Sequence, residues 1–243
     1  MSADNRKTAF TLSEVLITLA IIGVVAAMTL PALINSYNEM VMVNKLKRTY
    51  STLINAIDMR RAELGASSYA EVFDTSLTAA QQLDGIVKHL HVIERCSASN
   101  SKGCGGFYKV KPKTRTNDGF GNVKISKINS ERAVLNDGTL IWFGKRNYTG
   151  DCIVQYTKYE KDADGNYTNL VDGKPVPIYY NAQHCAEIFF DIDGKKGRNQ
   201  FGYDCFSFAV KPNFVDQHVG YGGMFNTMRT GKLIYENYTE GSY

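Results

Sequence analysis

The stretch "RKTAFTLSEVLITLAIIGVVAAMTLPALI" extends from Arg6 to Ile34, and its last 25 residues carry one formal charge. A helix rises about 1.5 Å per residue, so a helix over 10–34 is long enough to cross a hydrocarbon core of roughly 30 Å. The run exceeds the apolar region of an ordinary secretory signal, which has about 7–15 residues. Arg6 and Lys7 precede it and favour a cytoplasmic N-terminus. We therefore predict one membrane-spanning helix, followed by a domain outside the cytoplasm.

The single charge in this helix, Glu14, has two interpretations. A carboxylate at the centre of a membrane helix costs roughly 2.5–3.5 kcal/mol on insertion scales, and the cost falls near the helix end. Glu14 is then either a tolerated interfacial charge in a simple anchor or a group that needs a cationic partner. A cut between Ala9 and Phe10 would leave a new α-amine one helical turn away, able to neutralise Glu14 of the same or a neighbouring subunit. A helix N-terminus also favours nearby negative charge.

The residues "A-FTLSEVLITLAIIGVVAAMTLPAL" resemble the prepilin N-terminal motif of type IV pilins and type II secretion pseudopilins. That motif combines a short basic leader, a small residue, an aromatic residue and a glutamate fifth after the cut. These elements correspond here to Met1–Ala9, Ala9, Phe10 and Glu14. The family prefers glycine at the position that Ala9 occupies.

The resemblance implies that a prepilin peptidase cuts after Ala9 and N-methylates Phe10. It also implies a filament of pilin or pseudopilin subunits, assembled on an inner-membrane platform, in which Glu14 pairs with the amine of another subunit. The implied location is a bacterial inner membrane, where the chain crosses the lipid bilayer once. The N-terminus would be cytoplasmic and the C-terminal domain periplasmic or extracellular.

Two further residues of the helix, Gly23 and Pro31, match the family pattern. Gly23 and Ala27 form a small-xxx-small pair, which lets helices approach closely, although small residues are common in any membrane helix. Pro31 removes one helical N–H and is expected to kink or loosen the helix.

After Pro31 the apolar residues recur mostly every three or four positions up to Leu64, and Gly65 is a suitable C-cap. This periodicity predicts a helix continuing over 35–64. Beyond Ile93, apolar runs around Asp-Gly turns predict hairpins at 137–138 and 164–165, and a third strand pair within 185–210. The expected fold class is α+β: a long N-terminal helix, half membrane and half amphipathic, packed on a C-terminal antiparallel sheet domain, pilin-like.

The predicted segments are a leader (1–9), a transmembrane or filament-core helix (10–34), its amphipathic continuation (35–64) and a soluble α+β domain (65–243). Net charge is +4, from 28 basic and 24 acidic residues. Removing the leader would leave 26 basic and 23 acidic residues, or +3. This near balance argues against nucleic acid as a partner. Basic residues do cluster at Lys109, Lys111, Lys113 and Arg115, where a solvated strand or loop is favoured over a binding patch.

The five cysteines form no CxxC pair, which argues against a zinc ribbon or a thioredoxin-like site. Export would allow two disulfides and one free thiol. Cys96 and Cys104 close a short polar loop and are the predicted pair, while pairing among Cys152, Cys185 and Cys205 stays open.

Three aspartates near the C-terminus, Asp191, Asp193 and Asp204, are a candidate calcium site, since carboxylates are hard-cation ligands. The spacing does not fit an EF-hand, and Asp-Gly turns are abundant without metal, so a plain turn is favoured. The loop also resembles an Asp-Gly-x-x-Gly-x-Asn element of pseudopilin-like proteins, some of which bind calcium. No other cofactor is expected.

The chain contains no phosphate loop, HExxH or GxSxG motif, so we predict no catalysis. The leading hypothesis is a structural filament subunit. One alternative is a minor pilin that acts as a tip binding module for DNA, a surface or cargo. The other is a single-pass anchored domain that never polymerises.

Overall fold

The computed structural model describes residues 11–100, 103–104, 110–113, 130–146, 149–162, 164–217 and 223–237 of the 243-residue chain. The chain divides into two compact units, Met1–Val41 and Met42–Tyr243. Helix α1 (Leu12–Leu64) forms nearly all of the described part of the first unit and opens the second. Ala9 and Phe10 lie outside the described residues.

The C-terminal end of α1 is closed by a Schellman motif. Gly65 has φ +62°, its N–H donates to Ala62 O at 3.1 Å, and Ala66 N–H donates to Arg61 O at 3.0 Å. The two bonds satisfy carbonyls that the helix end would otherwise leave unpaired. Within the second unit, one stripe of α1 is buried, and its members recur at helical spacing: Met42, Val43, Leu46, Thr49, Leu53, Ala56 and Ile57.

Two short helices follow, α2 (Tyr69–Val72) and α3 (Ala79–Val87). Each begins with a capping box, in which the side chains of the cap and the third helical residue bond reciprocally to the backbone. The cap of α3 is Thr78. Helix α4 covers Met224–Thr230.

A six-stranded antiparallel sheet forms the body of the second unit. Its spatial order is β1-β2-β3-β8-β9-β10. The strands are β1 (Val92–Cys96), β2 (Glu131–Leu135), β3 (Leu140–Lys145), β8 (Ala186–Asp191), β9 (Cys205–Val210) and β10 (Val215–Gln217).

Both faces of this sheet carry buried apolar side chains. On β3, Ile141 and Phe143 belong to the main core with α1, α2 and α3, whereas Leu140 and Trp142 belong to a second cluster. Strand side chains alternate between faces, so a strand covered on both sides is apolar at every position. This is consistent with the interior strand β9, which is buried along its whole length.

Two of the three predicted hairpins are confirmed. β2 and β3 pair around Asp137–Gly138, where Gly138 has φ +89° and Asp137 Oδ1 accepts the Thr139 N–H at 3.0 Å. β8 and β9 pair as expected. The chain also turns near Gly165, but the strand before that turn, β4 (Ile153–Lys158), pairs with β7 (Ile178–Gln183). At that turn Lys161 and Tyr167 form an antiparallel bridge, and the Thr168 N–H donates to Glu160 O at 3.1 Å. The predicted turn is therefore confirmed. Its extension into β4 was wrong, because local turn chemistry does not specify a partner twenty residues away.

The segment 152–185 is a two-stranded β-arm, which we call the arm. It consists of β4 and β7, with the short strands β5 (Leu170–Val171) and β6 (Lys174–Pro175) beyond them. The Cys152–Cys185 disulfide joins its two ends. Beside that disulfide, the fully buried Glu187 pairs with Arg146 at 2.6 Å, and Tyr156 OH lies 2.8 Å from His184 Nδ1.

Replacing both Cys152 and Cys185 with alanine is expected to lower the free energy of unfolding by about 3–4 kcal/mol, because the bond closes a loop with a sequence separation of 33. Thermal unfolding of the full chain in detergent, followed by the fluorescence of the single tryptophan, Trp142, measures the loss. The matched control removes the Cys96–Cys104 bond, whose separation is 8 and whose expected loss is smaller. An equal or larger loss in the control would contradict the loop-length argument.

Candidate assembly site and the aspartate loop

The N-terminus of α1 is capped by its own glutamate. Thr11 N–H and Thr11 Oγ1 both lie 2.8 Å from Glu14 Oε2, and Glu14 N–H donates back to Thr11 Oγ1 at 3.2 Å. This reciprocal arrangement is a capping box, which pairs two backbone donors that a helix start leaves open. The Thr-x-x-Glu spacing predicts such a box, so Thr11 is a functional candidate that the motif-based reasoning missed. Both bonds from Thr11 end on Oε2, and within the described part of the chain no hydrogen bond reaches Oε1 of Glu14.

The first unit exposes apolar side chains on every side of α1. Among the described residues, α1 is the one helix long and apolar enough to cross a membrane. The exposed large side chains between 12 and 34 include Leu12 at 78%, Ile22 at 63% and Leu33 at 66%. Water opposes such exposure, at roughly 25 cal/mol per Å² of apolar surface, so lipid or other helices must cover this segment.

The polar residues inside this segment are largely satisfied by the helix itself. Thr18 Oγ1 donates to Glu14 O at 2.9 Å, and Thr29 Oγ1 donates to Val25 O at 2.9 Å. A hydroxyl that bonds its own helix can enter an apolar medium at low cost. The helix is continuous through Pro31, and the space beside Gly23 is open. The small residue is therefore available for close approach of another helix, and the packing roles of Gly23 and Pro31 stay predictions.

The loop between β8 and β9 is organised by two buried aspartates. Asp191 Oδ1 accepts the Asp193 N–H at 2.8 Å, and its Oδ2 lies 3.2 Å from Cys205 Sγ. Asp204 Oδ2 accepts the Asn199 N–H at 2.8 Å, and Oδ1 accepts the Gln200 N–H at 2.6 Å. These bonds fold the loop back onto its two strands.

Glycine is required where this loop passes Asp204. A Cβ at Gly197 would lie 2.1 Å from Asp204 Oδ2, which no side chain permits. This close approach explains why residue 197 is a glycine.

The two carboxylates and the thiol form a buried cluster. Ligand atoms of Asp191, Asp204 and Cys205 lie within 4.8 Å of one another. Burial, together with the charge of Asp204, raises the pKa of Asp191 to about 8. Burial also raises the pKa of Asp204, and it raises that of the Cys205 thiol well above its usual range. Since like charges in a dry site oppose joint ionisation, the pair holds a proton near neutral pH.

The third predicted calcium ligand points elsewhere. Asp193 Oδ1 forms an ion pair with Lys45 Nζ of α1 at 3.1 Å. The structure thus brings Asp191 and Asp204 together and adds Cys205, which the sequence reasoning did not include. A thiol is a poor calcium ligand, since calcium prefers oxygen. Calcium binding stays a prediction.

The other candidate residues from the sequence are the cysteines and the basic cluster. Cys96 and Cys104 form the predicted disulfide, and Cys205 is buried and belongs to neither disulfide. Of the basic cluster, Lys109 and Arg115 lie outside the described residues. The backbone of Lys111 forms a parallel β-bridge with that of Gln200, and the Lys113 carbonyl oxygen accepts the Glu236 N–H at 2.9 Å. The backbone at Lys111 and Lys113 therefore has a structural role.

Comparison with known proteins bears on the N-terminal segment. Residues 4–30 match the family model described as the prokaryotic N-terminal methylation motif. No curated protein and no solved structure matches the chain.

This motif is the hallmark of type IV pilins and type II secretion pseudopilins. It coincides here with a long apolar helix, which continues into an antiparallel sheet domain. The chain thus carries the N-terminal motif and the fold that are expected of a pilin-like, prepilin-processed subunit. Its motif and fold indicate a structural subunit that assembles with other pilin-type subunits.

Proposed function

We propose that the protein is a structural subunit of a type IV pilus or of a type II secretion-like filament. The observation that carries this proposal is the N-terminal half of α1, which is apolar on all sides, capped by Glu14 and lies largely within the methylation motif. Neighbouring copies of the same helix, packed in a filament core, would cover this surface. Close packing of helices through small residues such as Gly23 suits that arrangement.

In this proposal a prepilin peptidase removes residues 1–9 and N-methylates Phe10 before assembly on an inner-membrane platform. The N-terminus lies in the cytoplasm and the sheet domain on the far side of the membrane. In the single chain, Thr11 occupies one oxygen of Glu14. The other oxygen accepts the Phe10 amine of a neighbouring subunit, which neutralises both charges inside the apolar core.

The proposal is tested by intact-mass and N-terminal peptide analysis of the chain from its native membrane. We expect a mature chain that begins at N-methyl-Phe10. Ala9→Gly is the matched control and is expected to keep the cut, whereas Ala9→Leu is expected to block it. A chain that still begins at Met1, in cells with an active prepilin peptidase, would leave only an unusual anchor.

A further inference from the structure

The arm carries most of the large aliphatic and aromatic side chains that the described part of the sheet domain exposes. Beyond α1, nine large apolar or tyrosine side chains are exposed among the described residues, and seven of them lie in the arm. These seven are Ile153, Tyr159, Tyr167, Leu170, Val171, Tyr179 and Tyr180. Such a concentration on one element marks an interaction surface, because scattered exposure would need no explanation.

One face of the arm is entirely exposed and uncharged. Cross-strand partners share a face, so the pairs Ile153–Gln183, Gln155–Asn181 and Thr157–Tyr179 form a continuous surface. All six of these side chains are exposed. A two-stranded sheet is marginal on its own and gains stability from further packing. The disulfide keeps the arm intact, and this face remains available to a partner.

The end of the arm is acidic. Residues 159–176 contain four acidic and two basic residues, a net charge of −2, so the rest of the +4 chain carries +6. Glu160, Asp164 and Asp172 are exposed, and none has an ion-pair partner among the described residues. Lys161, by contrast, lies over the Tyr167 ring at 4.7 Å.

A complementary basic surface lies on the same chain. Lys47 and Arg48 are exposed on α1, and within the described part of the chain neither makes an ion pair. Lys45 beside them is already paired with Asp193. A surface that is acidic at one site and basic at another favours head-to-tail contacts between identical copies, and contacts of that kind build open filaments.

From these observations we propose that the arm of one copy packs against α1 of a second copy, with its acidic end on Lys47 and Arg48. The inference rests on the proposed filament function, which brings copies together. Exposed ion pairs add little to affinity, so we assign them the role of setting the register of the contact. The exposed tyrosine and aliphatic side chains of the arm supply the affinity.

The first test uses the full chain in membranes of cells that assemble it, with two differently tagged copies. A photo-crosslinking residue replaces Leu170 in one copy. The expected product joins the two tags and maps to the peptide of the second copy that contains Lys47 and Arg48. The same residue at Leu19 reports packing of the core helices independently of the arm. Copies joined through Leu19 but not through Leu170 would overturn this inference alone, whereas copies joined through neither would overturn the proposed function.

The second test is charge reversal in the full chain. Asp164→Lys with Asp172→Lys, and separately Lys47→Glu with Arg48→Glu, are each expected to reduce filament yield. All four changes together are expected to restore it, because the charges then match again. Loss without restoration, or crosslinks from Leu170 to a different protein, would overturn the contact. If a photo-crosslinking residue in place of Lys47 or Arg48 forms crosslinks to lipid, those two residues belong to the membrane surface and the contact is overturned.

Discussion

Replacing Glu14 with valine is expected to abolish filament assembly while leaving membrane insertion intact. Valine enters a membrane helix more easily than glutamate, so the anchor is retained. The variant lacks the carboxylate that would neutralise the amine of a neighbour, and an unpaired ammonium inside an apolar core is costly. Fractionation of membranes and sheared filaments measures both outcomes. An unchanged distribution would favour an anchored domain that does not polymerise.

Loss of the helix cap must be separated from loss of the charge, because Glu14 supplies both. Glu14→Gln keeps a capping box with Thr11, since glutamine serves at that position as well as glutamate. It removes the negative charge. We expect Gln to fail in assembly like Val. Thr11→Ala keeps the charge and weakens the cap by about 1 kcal/mol, and it is expected to assemble. Normal assembly of the Gln variant would show that the cap, not the charge, is what matters.

The local elements of this fold were predictable because their signals are contained in short stretches. Leu64 and Gly65 close a periodic run, and Asp137–Gly138 turns between two apolar runs. The pairing of β4 with β7 was not predictable, since nineteen residues separate the two strands and contain turns of their own. The Cys152–Cys185 bond was not predictable for the same reason, because the pairing of β4 with β7 is what brings the two cysteines together.

The candidate sites divide in the same way. The motif around Glu14 is contiguous, so the sequence alone identified it, and the Thr11 cap follows from a four-residue spacing. The buried pair of Asp191 and Asp204 depends on register: Asp191 lies opposite Cys205 across β8 and β9. A predicted hairpin does not fix its register, and a one-residue slip moves a side chain to the other face. The role of Asp193 in an ion pair with Lys45 needed the packing of α1 on the loop.

Asp191→Asn is expected to remove most of the pH dependence of stability between about pH 4 and pH 8. In the unfolded chain this carboxyl ionises near its ordinary pKa of about 3.9. In the folded chain burial and the charge of Asp204 raise the pKa to about 8. Its contribution to stability is therefore fully present below about pH 4 and is lost as the pH rises, by up to about 1.4 kcal/mol per unit. Asparagine does not titrate, so the variant gains stability relative to the natural chain as the pH increases.

The same measurement decides the calcium prediction. Trp142, buried in the cluster that contains Cys205, reports unfolding of the full chain in detergent. Calcium needs both carboxylates ionised, so a calcium site predicts that excess calcium raises the unfolding temperature at pH 8 and that Asp191→Asn abolishes the rise. If the two carboxylates instead share a proton, the unfolding curves in calcium and in chelator should be the same. The Asp191→Asn variant should then be more stable than the natural chain at the higher pH. The matched control is Glu160→Gln, which neutralises an exposed carboxylate on the arm. It should change neither the fall of stability with pH nor the response of the unfolding temperature to calcium. A natural chain whose stability does not fall with pH in chelator would contradict the buried, proton-sharing pair, because two ionised carboxylates at this distance require a compensating cation.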